Sequence, residues 1–244
     1  MPLPDDIKLD PATSIEHYLR LVLDKRPQGN DTGWIFRGHR KAAWRLLPMI
    51  DRPDFVEYRV ERGWNRQEHE ERLFSDFQSG ARLHVRIEPR NEWEWLAIAQ
   101  HHGLATRLLD WTANPLAALY FAVEETKAHD NSAVLCYHHA GKQWMEYSKE
   151  HPFSVTELVE FRPAHVTPRI TVQGGCFTSH PDPADTAPPC QGILRKIPIP
   201  HDKRAIFRDE LRRLGVDRAA LFPDLDGIAL SLNRHLSKSK TGAG

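Results

Sequence analysis

Cysteine is scarce in this sequence, and its three copies, Cys136, Cys176 and Cys190, stand far apart. They give no zinc-ligand spacing and no disulfide framework, so reduced thiols in a cytoplasmic protein are expected. Long apolar runs are missing too: no stretch approaches the roughly eighteen residues needed to cross a bilayer. The opening residues, MPLPDDIKLDP, carry neither a basic start nor an apolar run, and export is not expected. Neither charge sign is in surplus. Thirty-three Lys and Arg balance thirty-three Asp and Glu, which argues against long-range attraction to DNA, RNA or acidic membranes. No HExxH is present, and the neighbouring pairs His101–His102 and His138–His139 project in different directions on regular backbone, so no metal site is expected.

What remains is an ordinary globular composition, 244 residues with 40% hydrophobic and 27% charged side chains, enough for a real core. A first helix is expected from Pro11 to Lys25, followed by a turn at Gly29–Asp31. A strand at Trp34–Phe36 follows, which Gly38 ends or opens to a close neighbour. One long amphipathic helix is expected from Val60 to Ala81, with Trp64, Leu73, Phe74 and Phe77 inward and Arg62, Arg66, Glu68, Glu70, Glu71 and Arg72 in water. Ser132–Tyr137 and Glu157–Phe161 read as strands, Ile170–Val172 as β, and Leu194–Ile199 as an edge strand because Pro198 lacks a donor. His201–Leu214 reads as a helix with Ile206, Phe207, Leu211 and Leu214 inward. A last helical stretch takes its apolar contacts from Leu225, Ile228, Leu230 and Leu232. The organisation expected is an N-terminal helix (1–32) packed on one α+β domain (33–232), a small mixed sheet with several helices, and a disordered tail (233–244).

The segment from Glu92 to Val123 organises the rest. Its ends are helices that are apolar nearly all round, the mark of burial. Between them Gln100, His101, His102, Thr106, Arg107, Asp110, Trp111, Thr112 and Asn114 crowd into one link. Polar groups carried inward need partners, so this link is either an internal scaffold or the wall of a pocket. Asn114 and Pro115 suit the cap and first turn of the second helix.

These stretches carry a resemblance. Phe36-Arg37-Gly38, the long block Gln100–Ala122, the block Arg169-Ile170-Gln173-Gly175-Phe177, and Leu221–Gly227 resemble the FRG domain family of bacterial and phage-associated proteins. The order of these motifs is similar to that of ADP-ribosyltransferases. The resemblance implies an ADP-ribosyltransferase-like fold and NAD as substrate. It places Arg37 on the pyrophosphate or ribose, Thr106–Thr112 on the nicotinamide side, and Gln173 near the third, catalytic position. A glutamine is no general base, so Asp110 or Glu210 would supply the charge.

Each residue also has a plainer use. Arg37 can tie its strand to Asp110 instead of gripping phosphate. Arg107 and Asp110 fall on opposite faces of an alternating strand and so need separate partners. Trp111 and Phe177 can stack on a nicotinamide or adenine ring, or simply pack. His101 can line the pocket or be satisfied by backbone, and Glu210 can sit on a solvated face. The leading expectation is an NAD-dependent ADP-ribosyltransferase or NAD glycohydrolase, a toxin or phage-defence effector with a protein or nucleic-acid acceptor and a neutralising partner. The alternatives are a non-catalytic module that senses a nucleotide or a partner, and a nuclease.

Overall fold

The apolar central segment builds the middle of the molecule, as its composition demands. In a computed structural model, residues 7–24, 33–85, 88–125, 129–139, 150–163, 168–183 and 192–238 are described. Cys190, Gly29–Asp31 and the tail beyond Lys238 lie outside them. In chain order the elements are β1 (Ile7–Lys8), α1 (Ile15–Asp24), β2 (Trp34–His39), α2 (Pro53–Glu61), α3 (Arg66–Ala81), α4 (Glu92–His101), β3 (Leu108–Thr112) and α5 (Pro115–Val123). There follow β4 (Ser132–His139), β5 (Val159–Phe161), α6 (Pro168–Val172), β6 (Gly175–Ser179), β7 (Gly192–Ile199), α7 (Arg204–Arg213), α8 (Arg218–Leu221) and α9 (Leu225–Lys238).

The strands form one seven-stranded sheet in the order β1-β7-β4-β2-β3-β6-β5. It is mixed, because β1 runs parallel to β7 while the other pairs are antiparallel. The expected α+β class therefore holds. Against one face of β2, β4 and β7, helices α1, α5 and α7 bury Tyr18, Phe36, Leu119, Ile197, Phe207 and Leu211. Along β3, β6 and β5, helices α3 and α4 close over Leu108, Val159, Phe161 and Phe177 with Phe74, Trp93 and Leu96. Alternation then sends Ile35, Leu109, Trp111, Leu135 and Tyr137 to the opposite face, where they make a third apolar cluster.

Gly38 explains the tight fit of α5. A Cβ there would sit 2.2 Å from the Ala118 carbonyl oxygen and 2.6 Å from the Ala122 nitrogen. Only a residue without a side chain lets strand and helix backbones approach so closely. Asn114 caps α5 as expected, its side chain accepting from the N–H groups of Leu116 and Ala117.

Several expectations change. The long helix is two, α2 and α3, parted at Asn65, whose side chain makes a capping box with Glu68. Arg66 and Glu70 do not face water; both are buried. Arg66 grips Asp51 in a two-pronged pair of 2.7 and 2.8 Å and reaches Glu70 at 3.4 Å, while Glu70 takes two hydrogen bonds from Arg107, at 3.0 and 2.6 Å. Ile170–Val172 is helical: Pro168 starts the turn and Gly174, at φ 59°, ends it, so the β character moves to Gly175–Ser179. The Pro198 strand, β7, is covered by β1 at two residues only; Pro198's own carbonyl accepts from Ala12, so its donor-free nitrogen faces that sparsely paired side. Ile206 and Leu214 are exposed, as are Leu225, Ile228, Leu230 and Leu232, and α9 continues to Lys238. No helix among the described residues is long and apolar enough to cross a membrane.

Candidate functional site

Strands β2 and β3 are joined by one cross-strand pair, Phe36 with Thr112. On their outer sides they pair through six and five positions, with β4 and β6 respectively. Beyond Phe36 the two strands separate, and a cavity of about 440 Å³ opens between them. That is within the range of small-molecule sites. Arg37, Gly38 and Arg40 come from the β2 side, Asp110, Trp111 and Thr112 from β3, Gln100 and His101 from α4, Gln173 from the turn after α6, and Cys176 and Phe177 from β6.

Arg37 spans the gap. Its Nη1 donates to the Asp110 carbonyl oxygen and lies 3.7 Å from the Asp110 carboxylate, while its Nε donates to His39 Nε2 at 3.4 Å. To accept there, His39 must be neutral. Burial, together with the charges of Arg37 and Lys196, pulls this imidazole down to about 3, so it is neutral at physiological pH. Burial also lowers Arg37 itself; Asp110 opposes that effect and the like charge of Arg52 adds to it.

Asp110 is held by a relay whose polarity can be deduced. Thr106 Oγ1 accepts from the Leu108 N–H, so its own proton goes to Gln100 Oε1, 2.5 Å away. That fixes the amide, and Gln100 Nε2 donates to Asp110 Oδ2 at 2.8 Å. With its side chain 56% exposed, the carboxylate keeps a free edge toward the cavity. Thr112 Oγ1 donates to the Gln173 carbonyl oxygen and accepts from Asn114 N, locking the turn that leads into α5. The Gln173 amide donates to the Leu221 carbonyl oxygen at 2.9 Å. Trp111 donates to Thr178, which in turn hydrogen-bonds a buried His180 held down to about 3 by burial and by the charges of Arg66, Arg37 and Arg107. Phe177 stacks on Phe161, so protein already covers part of its surface. Cys176 lines the cavity as a free thiol whose ionisation burial pushes well up, which favours its uncharged form.

Of the ten residues expected at the site, Arg37, His101, Asp110, Trp111, Thr112, Gln173 and Phe177 line this cavity. Three do not. Thr106 is buried and acts on Asp110 only through Gln100. Arg107 is buried in the Glu70 pair and also holds the Pro152 carbonyl oxygen, so the scaffold consumes its charge. Glu210 sits on α7, where its carboxylate accepts from Ile15 N at the start of α1. Sequence reasoning left out Arg40, Trp44 and Arg52, which also line the cavity. Nothing local marks them, because they stand on the irregular stretch and helix start that follow β2. Among the described residues no group of three or more His, Cys, Asp or Glu side chains is placed to hold a metal ion.

Comparison with known proteins bears on the first half of this site. No curated protein and no solved structure matches the chain. The model of the FRG domain matches residues 32–131, from the start of β2 to the edge of β4. The match takes in Arg37, Gln100 and Asp110 and leaves Gln173, Phe177 and Glu210 outside. An FRG domain is therefore present at residues 32–131 of this chain.

Proposed function

We propose that the cleft between β2 and β3 binds NAD and cleaves its nicotinamide–ribose bond, in the manner of an ADP-ribosyltransferase or NAD glycohydrolase. The observation that carries this reading is the facing of Arg37 and Asp110 across the mouth of a cavity with aromatic walls. As the C1′–N bond breaks, its electron pair leaves with nicotinamide and positive charge gathers on the ribose. The free edge of Asp110 then serves as the counter-charge, and Arg37 holds the pyrophosphate from the other side. Water or an acceptor nucleophile adds to C1′ and gives up its proton, yielding ADP-ribose or an ADP-ribosylated acceptor. Of the charges considered from sequence, Asp110 rather than Glu210 fills this role, since Glu210 is committed to the start of α1.

The test is to incubate the purified protein with NAD and follow nicotinamide release by chromatography. Release in wild type and its loss in Arg37→Ala, at unchanged melting temperature, is the expected result. No release across water, protein and nucleic-acid acceptors would remove the enzymatic reading. One observation favours a second reading, a nucleotide-sensing module: Gln173, at the third motif position, has its amide tied to backbone and brings no charge. Nucleotide binding without turnover is the outcome that selects it.

A further inference from the structure

The charges around the cleft do not balance. Three guanidinium groups line it, those of Arg37, Arg40 and Arg52, with two carboxylates, Asp110 and Glu124. Arg40 has Glu125 at 4.0 Å, outside the cavity lining, and Glu124 is drawn to Arg218 at 3.7 Å. That leaves Arg37 and Arg52 with Asp110 alone, and Asp110 already accepts from Gln100. Arg37 uses Nε on His39 and Nη1 on the Asp110 carbonyl; its Nη2 has no partner among the described residues. Arg52 is exposed and pairs with no described carboxylate, and although it is the N-cap residue of α2 its side chain makes no capping hydrogen bond. The two cations are near enough for Arg52 to depress the proton affinity of Arg37. Like charges sharing a cavity cost free energy in the empty protein, and a bound anion returns it.

We infer that Arg37 and Arg52 form a two-pronged clamp for the diphosphate of a nucleotide in this cleft, an assignment that rests on the nucleotide reading above. A guanidinium fork matches two oxygens of one phosphoryl group. Two forks carried on separate elements, β2 and the start of α2, suit two linked phosphoryl groups better than a single carboxylate. Trp44, 45% exposed and approached by the Arg40 guanidinium at 5.6 Å, offers an aromatic surface on the same rim for an attached base.

The experiment is isothermal titration of wild type, Arg52→Ala and Arg52→Lys with ADP-ribose, inorganic pyrophosphate and adenosine, with melting temperatures in parallel. Because Arg52 is exposed and without a described partner, both variants should melt with wild type. Arg52→Ala should bind ADP-ribose and pyrophosphate about ten- to a hundredfold more weakly, the worth of one or two charge-assisted hydrogen bonds. Arg52→Lys should recover only part of this, and adenosine should bind all three alike. Equal ADP-ribose affinity in wild type and Arg52→Ala overturns the clamp while leaving the nucleotide reading in place. A wild type that binds neither diphosphate overturns both. Weakened binding in Arg52→Ala with no nicotinamide release from NAD keeps the clamp and removes the cleavage reaction.

Discussion

Arg107 and Asp110 stand three residues apart and answer to opposite parts of the molecule. Arg107 closes on Glu70 at 2.6 Å inside the protein, whereas Asp110 meets Arg37 at 3.7 Å at the rim of the cleft. Strand alternation demands this division. Together the two residues show that the polar link between α4 and α5 is both scaffold and pocket wall: Thr106 and Arg107 belong to the scaffold, while Gln100, His101 and Asp110 line the cavity.

The pocket half is tested by Asp110→Asn. The side chain is more than half exposed, so stability should change by less than about 1 kcal/mol. Nicotinamide release should fall by about a hundred- to a thousandfold, as when a preorganised transition-state partner is removed. Comparable turnover in the variant would transfer the role to another group.

The scaffold half is tested by Glu70→Ala. Its carboxylate is 1% exposed and serves both Arg66 and Arg107, so its loss leaves the buried Arg107 guanidinium without its carboxylate partner, while Arg66 keeps Asp51. A destabilisation of about 3–5 kcal/mol is expected in urea unfolding. Residual nucleotide affinity of the folded fraction should match wild type, because Glu70 does not line the cavity.

Gly38→Ala should be among the most damaging single-methyl additions. The added carbon meets α5 backbone at 2.2 and 2.6 Å, and backbone cannot swing aside as a flexible side chain can. A loss of about 3 kcal/mol or more is expected, read as a lower melting temperature or failure to fold. A variant that melts within a degree or two of wild type would show that the helix can slide off the strand.

Mild acid should weaken the fold through His39 and His180. Both are neutral in the folded protein down to about 3, against an ordinary value of 6.5. Above pH 6.5 they are uncharged in either state and contribute no slope. As pH falls below 6.5 the unfolded chain takes up protons that the fold refuses, so stability declines until about pH 3 and then levels. The loss is on the order of a few kcal/mol per histidine. Urea midpoints between pH 6.5 and 5, above the main carboxylate range, read the effect, to which His69, also lowered by burial, adds, and His180→Gln should flatten the slope.

Much of this was legible in the chain. Apolar sequence on both sides of a polar link gave α4, β3 and α5, and Asn114–Pro115 gave the cap. Arg37 was marked by a strand end expected at Gly38, although β2 runs on through it to His39, and Asp110 was marked by the crowding of polar residues between two apolar helices. What misled was local charge pattern. Arg66 and Glu70, four apart on a helix, look like a solvated pair until Asp51 and Arg107, distant in sequence, fold against them. Ile170–Val172 has β-branched residues yet turns as a helix, because Pro168 and Gly174 set its ends. Arg52 carries no local signature, since its meaning depends on β2 passing nearby.

The lone joint at Phe36 and Thr112 has a mechanical consequence. Elsewhere in the sheet, spreading two strands means breaking a ladder of backbone hydrogen bonds, but here only one rung stands between two semi-independent panels. Their separation is therefore set by α5, which leads out of β3 and packs on β2, together with the side chains that straddle the seam, and a molecule lodged in the seam would brace both panels at once. Occupancy and rigidity should rise together in this protein.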